Sequence, residues 1–234
     1  MYSDNMKIAV KTFLSIPLIH PKGTPQCYHC HETIQNFAEH SLRCNARKPA
    51  MDRHSDIAKC LVRLCKACSL SCIVEPSIFG RNPESGKRNQ SRPDILIHDF
   101  GSDKSSLAVD VSVANPFIKS SAQAPDPLAA AIARERQKYA KYKELCKNVK
   151  VNFTPFVMDA YGGIPTESRK GCLKPLIDKV ETFVPPNWAA PNAKTYWLQS
   201  LTIALWNGNA RKVKSFPTGT PPSYYTSSHD GEAV

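Results

Sequence analysis

The chain has 234 residues and 41% hydrophobic content, enough to bury a sizeable core and to support a globular protein, most simply one domain with an appendage. Its 31 Lys and Arg against 20 Asp and Glu give a formal charge of +11, which favours a polyanionic partner such as nucleic acid. The nine cysteines are odd in number and clustered in spacing, which reads as metal ligation rather than a disulfide framework and implies a reducing, intracellular compartment.

In chain order, residues 6–18 carry apolar side chains at Ile8, Val10, Phe13, Leu14 and Ile16, an amphipathic helix stopped by Pro17. The apolar stretch is interrupted by Lys11 and Pro17. It is too short to cross a bilayer and has no small-residue cleavage site, so neither a membrane segment nor a secretion signal is expected. Next comes Cys27-x2-Cys30-x9-His40-x3-Cys44. Two cysteines on a tight turn and a His/Cys pair one helical turn apart supply four ligands in a tetrahedron, the closed geometry of structural zinc. His29 and His31 sit in or beside the turn and read as loop residues.

Arg53-His54 precedes a predicted helix over residues 57–70, with Ile57, Leu61 and Leu64 on its apolar face. His54 either contacts DNA or anchors the helix start. Cys60, Cys65, Cys68 and Cys72 fall mostly within this helix and read as small buried hydrophobes. Cys72 to Glu75 is a first strand ended by Pro76, with Glu75 either a further carboxylate for a site or a strand terminus. Residues 78–91 form a polar, basic loop. Its Arg81, Lys87 and Arg88, with Arg92 after it, serve as a nuclear address or as a DNA-contacting loop.

Arg92-Pro93-Asp94-Ile95-Leu96-Ile97 reads as a short buried strand. A turn-rich segment separates it from residues 107–113, where Leu107, Val109, Val111 and Val113 alternate with Ala108, Asp110 and Ser112. Paired as a hairpin, these strands bring Asp94 and Asp110 to one point. Two carboxylates that close repel unless a divalent cation lies between them, and oxygen ligation of this kind suits Mg²⁺. Residues 115–127 form a long polar connection, readable as a flap. Asp126-Pro127 then launches a helix, with aspartate as N-cap and proline at the first position. Its basic residues, Arg134 and Lys141 among them, stand beside the proposed metal site, where they fit phosphate positioning. A fourth strand follows over residues 149–158, then helices over 173–183 and 195–206, with Trp188, Trp197 and Trp206 expected to bury. From residue 217 onward Gly, Pro, Ser, Thr and Tyr predominate, as in a disordered tail.

The Pro93-Asp94 dipeptide, Asp110 on the following strand, and the run Arg134-Glu135-Arg136-Gln137-Lys138-Tyr139-Ala140-Lys141-Tyr142 together resemble the restriction-like endonuclease domain of site-specific non-LTR retrotransposons. That domain belongs to the PD-(D/E)-x-K superfamily. The usual lysine position, two residues after the second acid, holds Ser112 here, and the resemblance puts Lys138 of the helix in its place. It implies a mixed central sheet flanked by helices, an upstream Cys-Cys-His-Cys zinc knuckle, and a metal-dependent endonuclease acting on double-stranded DNA in the nucleus. Asp94 and Asp110 would hold Mg²⁺ or Mn²⁺, with Lys138 and Glu135 as the other catalytic candidates. A reverse transcriptase or RNA of a larger element is the further partner it implies, although no polymerase Asp-Asp motif is present in this chain. At about 100° per residue, Leu128, Ile132, Glu135, Tyr139, Tyr142 and Cys146 form one helical stripe with Lys138 on its flank. Lys141 points toward solvent or a phosphate. The plain alternative for Glu135 and Lys138 is an exposed i, i+3 ion pair.

The expected organisation is an N-terminal helix (1–23), a zinc knuckle (24–50), an endonuclease domain (51–216) and a tail (217–234). Two other functions suit the same residues: a structure-selective, resolvase-like nuclease, and a catalytically inactive zinc-dependent DNA-binding protein.

Overall fold

The computed structural model describes residues 3–14, 26–27, 30–34, 37–44, 47–80, 86, 89–116, 126–182 and 192–215. Lys87, Arg88, the greater part of the 115–127 connection, Trp188 and the 217–234 tail lie outside the described residues. The chain divides into two compact units, Arg53–Leu205 and a second made of Met1–Asp52 with Trp206–Val234.

The larger unit is mixed α/β. Helix α3 (Arg47–Ala67) leads into strands β1 (Cys72–Val74), β2 (Ile95–Ile97) and β3 (Leu107–Ala114), then helix α4 (Ala129–Asn148) and strand β4 (Asn152–Asp159). The four strands form one sheet in the order β1-β2-β3-β4. The first three are antiparallel neighbours and β4 runs parallel to β3. A parallel pair needs a long crossover, and α4 is that crossover. The expected hairpin forms with Ile95 opposite Val109 and Ile97 opposite Leu107.

The alternation of β3 sorts its side chains between two apolar layers. Leu107, Val109 and Val111 join Ile57, Leu61 and Leu64 of α3 and the helices after β4 in the main core. On the other face Ala108 packs with Tyr142 and Cys146, and Ala114 with Ala131. Both faces of β3 are therefore covered, and the polar residues between those alanines lie beneath a helix rather than in solvent. Cys60, Cys65 and Cys68 belong to the main core as expected, and burial pushes the Cys60 and Cys68 thiols up to about 11. Glu75, exposed and in a left-handed conformation with φ of 49°, closes β1.

After β4 the chain runs through α5 (Thr166–Ser168), a π-helical turn (Arg169–Leu173) and α6 (Lys174–Glu181). At Gly171 a Cβ would stand 2.7 Å from the Thr154 side chain. Glycine therefore lets the π turn close on the sheet.

In the second unit, α1 (Ser3–Phe13), α2 (Phe37–Arg43) and the end of α7 (Ala193–Lys214) come together. The ring of Phe13 meets that of Trp206 edge-on with centroids 6.0 Å apart, Asn5 donates to Asn207 at 3.3 Å, and buried Lys212 donates to the Leu42 carbonyl at 2.9 Å. These contacts group the end of α7, from Trp206, with the N-terminal segment, whereas the sequence division places it within residues 51–216. Trp197 and Trp206 are both buried, as expected. No helix among the described residues is long and apolar enough to cross a membrane.

Candidate functional site

Helix α4 runs antiparallel to β3, and four residues of helix cover about 6 Å, close to the roughly 6.6 Å covered by two residues of strand. The two elements therefore stay in step. Ala131 packs with Ala114, Arg134 reaches Ser112, Lys138 reaches Asp110, and Tyr142 packs with Ala108. The four side chains Ala131, Glu135, Tyr142 and Cys146 are buried. With Lys138 they occupy an arc of about 80°, and Lys138 stands at the edge of that arc, on the flank of the buried stripe. Tyr139, expected within that stripe, is 46% exposed. The helix also starts at Ala129, and Asp126 bonds the Leu128 N–H at 2.8 Å in a turn just before it rather than serving as its N-cap.

Asp110 is 3% exposed, and Lys138 Nζ lies 2.6 Å from its Oδ2. The register places Asp94 one step before β2, beside Asp110. Asp94 Oδ2 accepts the Val111 N–H at 2.6 Å and a bond from His54 Nε2 at 3.0 Å. The bond to Asp94 raises the pKa of His54, and the charges of Asp94 and Asp110 add to it against burial and Lys138. Tyr142 donates to the Arg92 carbonyl at 2.8 Å. Burial raises its phenol pKa, and the nearby carboxylates of Asp110 and Asp94 raise it further. Asp94, Asp110, Lys138, His54 and Tyr142 thus share one electrostatic neighbourhood.

Two expectations change. His54 does not anchor a helix start, because α3 begins at Arg47 and places His54 within the helix, turned to Asp94. Glu135 is directed to Ser168, whose N–H and hydroxyl donate to its Oε1 at 2.6 and 2.5 Å. The Ser168 hydroxyl in turn accepts the Val157 N–H at 2.8 Å. This buried chain ties α4 to α5 and β4, a structural use of the carboxylate. Of the basic residues, Lys141 folds its amine onto Tyr142, 4.6 Å from the ring centroid, and Arg92 is exposed. Arg134 donates from Nε to Ser112 at 2.9 Å. The sequence reading missed the roles of His54, Tyr142 and Ser112; the match between four-residue helical and two-residue strand steps is the signal that could have found the last two.

Cys27, Cys30, His40 and Cys44 converge with all ligand atoms within 4.8 Å of one another. A tetrahedral zinc with Zn–S near 2.3 Å sets its sulfurs about 3.8 Å apart. The observed separations are 3.7 Å for Cys27 and Cys44, 4.0 Å for Cys30 and Cys44, and 3.6 Å from Cys30 Sγ to His40 Nε2. The cluster could hold zinc with little movement. A bridge between Gln26 and Thr33 closes the turn bearing the first two cysteines, and α2 presents His40. Glu32 lies 3.5 Å from His40 Nδ1 and 2.6 Å from Arg43. Its carboxylate thus stands on the Nδ1 side of the ring, while Nε2 faces Cys30 Sγ. Burial lowers the pKa of His40, keeping the imidazole in the neutral form that ligates metal.

Comparison with known proteins yields no matching family model and no matching curated protein.

Proposed function

We propose that this chain is a metal-dependent DNA endonuclease, related to the restriction-like endonuclease domain of non-LTR retrotransposons. The observation that carries the reading is the juxtaposition of Asp94, one step before β2, with Asp110 of the paired strand β3, and of Lys138 of the crossover helix against Asp110. An apolar environment rarely keeps two acids and a lysine together without use for them.

The donor chemistry fits Mg²⁺ or Mn²⁺. Asp94 Oδ1, outside the bonds that hold Oδ2, and the carboxylate of Asp110 are hard oxygen ligands. A bound divalent cation would supply Lewis acidity to a phosphate oxygen and make water a better nucleophile at neutral pH. The protein's own contribution is orientation and charge. Val111 N–H and His54 fix the Asp94 carboxylate, and Lys138 neutralises Asp110. With the phosphodiester in place, Lys138 turns its charge to the phosphate. Tyr142, held by the Arg92 carbonyl, walls the site. The zinc unit grips DNA and performs no chemistry, since four protein ligands leave no open coordination position.

The test is nicking of supercoiled plasmid by the purified chain with Mg²⁺ or Mn²⁺, beside Asp110→Asn. Metal-dependent nicking abolished by the substitution is expected. DNA binding by both proteins with cutting by neither would replace this reading with the zinc-dependent binder.

A further inference from the structure

Ser112 occupies the position two residues beyond Asp110 on the same face of β3 and is 6% exposed. A buried hydroxyl on a central strand needs a partner. Its partner is the guanidinium of Arg134, whose Nε donates to Ser112 Oγ at 2.9 Å, while Nη1 donates to Gln137 Oε1 at 3.2 Å. Arg134 itself is exposed. The guanidinium is thus held at two points, Nε on the sheet and Nη1 along the helix. Among the described residues Nη2 has no hydrogen-bond partner.

This arrangement differs from that of an ordinary solvated arginine. Such a side chain must lose rotamer freedom each time it grips a ligand, but Ser112 and Gln137 have already fixed Arg134. Its Nη2 is left to donate to a phosphate oxygen. Because Ser112 and Asp110 are separated by about 6.6 Å of strand, Arg134 and Lys138 stand next to each other along one line on the α4 face. A DNA strand crossing that line would place neighbouring backbone phosphates before both cations.

We propose that Arg134 binds the phosphate adjacent to the scissile one, with Ser112 as the positioning residue that holds its guanidinium ready. The inference rests on the endonuclease reading for the word scissile, but the phosphate contact stands independently of cutting. The device also gives Ser112 a purpose: the strand position that carries lysine in the resembled superfamily here holds a cation in place instead of supplying one.

The test uses the full chain with Arg134→Gln and Ser112→Ala, assayed two ways. Binding to a short duplex is measured against salt in buffer without divalent cation, and plasmid nicking is measured with Mg²⁺. Arg134→Gln is expected to lower the slope of log affinity against log salt by about one, as loss of one phosphate contact does. Ser112→Ala keeps the charge, so its slope should match wild type while kcat/KM for nicking falls about tenfold through looser positioning. Thermal unfolding of each variant close to wild type confirms that the fold is retained. A wild-type salt slope in Arg134→Gln overturns the phosphate contact. Wild-type nicking by Ser112→Ala overturns the positioning role. If wild type binds DNA with the expected slope but never cuts, the endonuclease reading fails while the contact survives.

Discussion

Lys138 Nζ stands 2.6 Å from Asp110 Oδ2, with the side chains only 18% and 4% exposed, so a crossover helix neutralises an acid on a central strand. Removing one partner of such a pair leaves a buried charge. Lys138→Met should therefore destabilise the cation-free protein and lower the nicking rate by about 10²–10³ through loss of charge at the phosphate. The same substitution removes a competitor for Asp110. Added Mg²⁺ should then raise the Tm of Lys138→Met more than that of wild type. Equal shifts would show that no divalent cation reaches Asp110.

Glu135 makes a second, quieter link from α4. Its carboxylate accepts both the N–H and hydroxyl of Ser168, and all three groups are buried. Glu135→Ala leaves two donors without their acceptor, a cost of about 2–3 kcal/mol. Urea unfolding should show that loss, whereas the nicking rate per folded molecule at low temperature should stay within a few-fold of wild type. A collapse of activity with unchanged stability would return Glu135 to the catalytic set.

The Cys27, Cys30, His40 and Cys44 cluster offers a prediction that is independent of catalysis. One zinc per chain is expected from metal analysis of protein purified without added metal, and Cys44→Ser should lose it. Glu32 lies 3.5 Å from His40 Nδ1, where it can accept from the ring once a metal holds Nε2, so Glu32→Gln should weaken zinc about 10–100-fold in a chelator competition. Unchanged affinity would assign Glu32 to Arg43 alone.

Much of this arrangement was legible because it is local. The strict alternation of residues 107–113 gives the strand and its two faces, and the Cys/His spacing gives a cluster whose measured separations suit zinc. What the sequence concealed depends on long-range registration. The rotation of α4 that brings Lys138 against Asp110 and exposes Tyr139 follows from its packing on Ala108 and Ala114, small residues that let the helix approach the sheet. Likewise His54 and Asp94 are 40 positions apart, and no periodicity in either segment encodes their meeting. The return of α7 to the N-terminal residues is non-local for the same reason.

His54 and Asp94 give the last prediction. The folded pKa of His54 is raised, first by its bond to Asp94 and then by the charges of Asp94 and Asp110, while burial and Lys138 act against it. In the unfolded chain a histidine titrates near 6.5. Protonation therefore favours the native state, and the contribution is complete below about pH 6.5 and lost as pH rises through the higher folded value. Without divalent cation, the stability advantage of wild type over His54→Gln should shrink as pH rises from 6 to 9, measured by urea unfolding at each pH. A divalent cation on Asp94 and Asp110 would cancel the charges that raise the pKa, so Mg²⁺ should flatten the dependence. An advantage that grows with pH would mean that His54 acts as a neutral donor and that its charge is not what Asp94 holds.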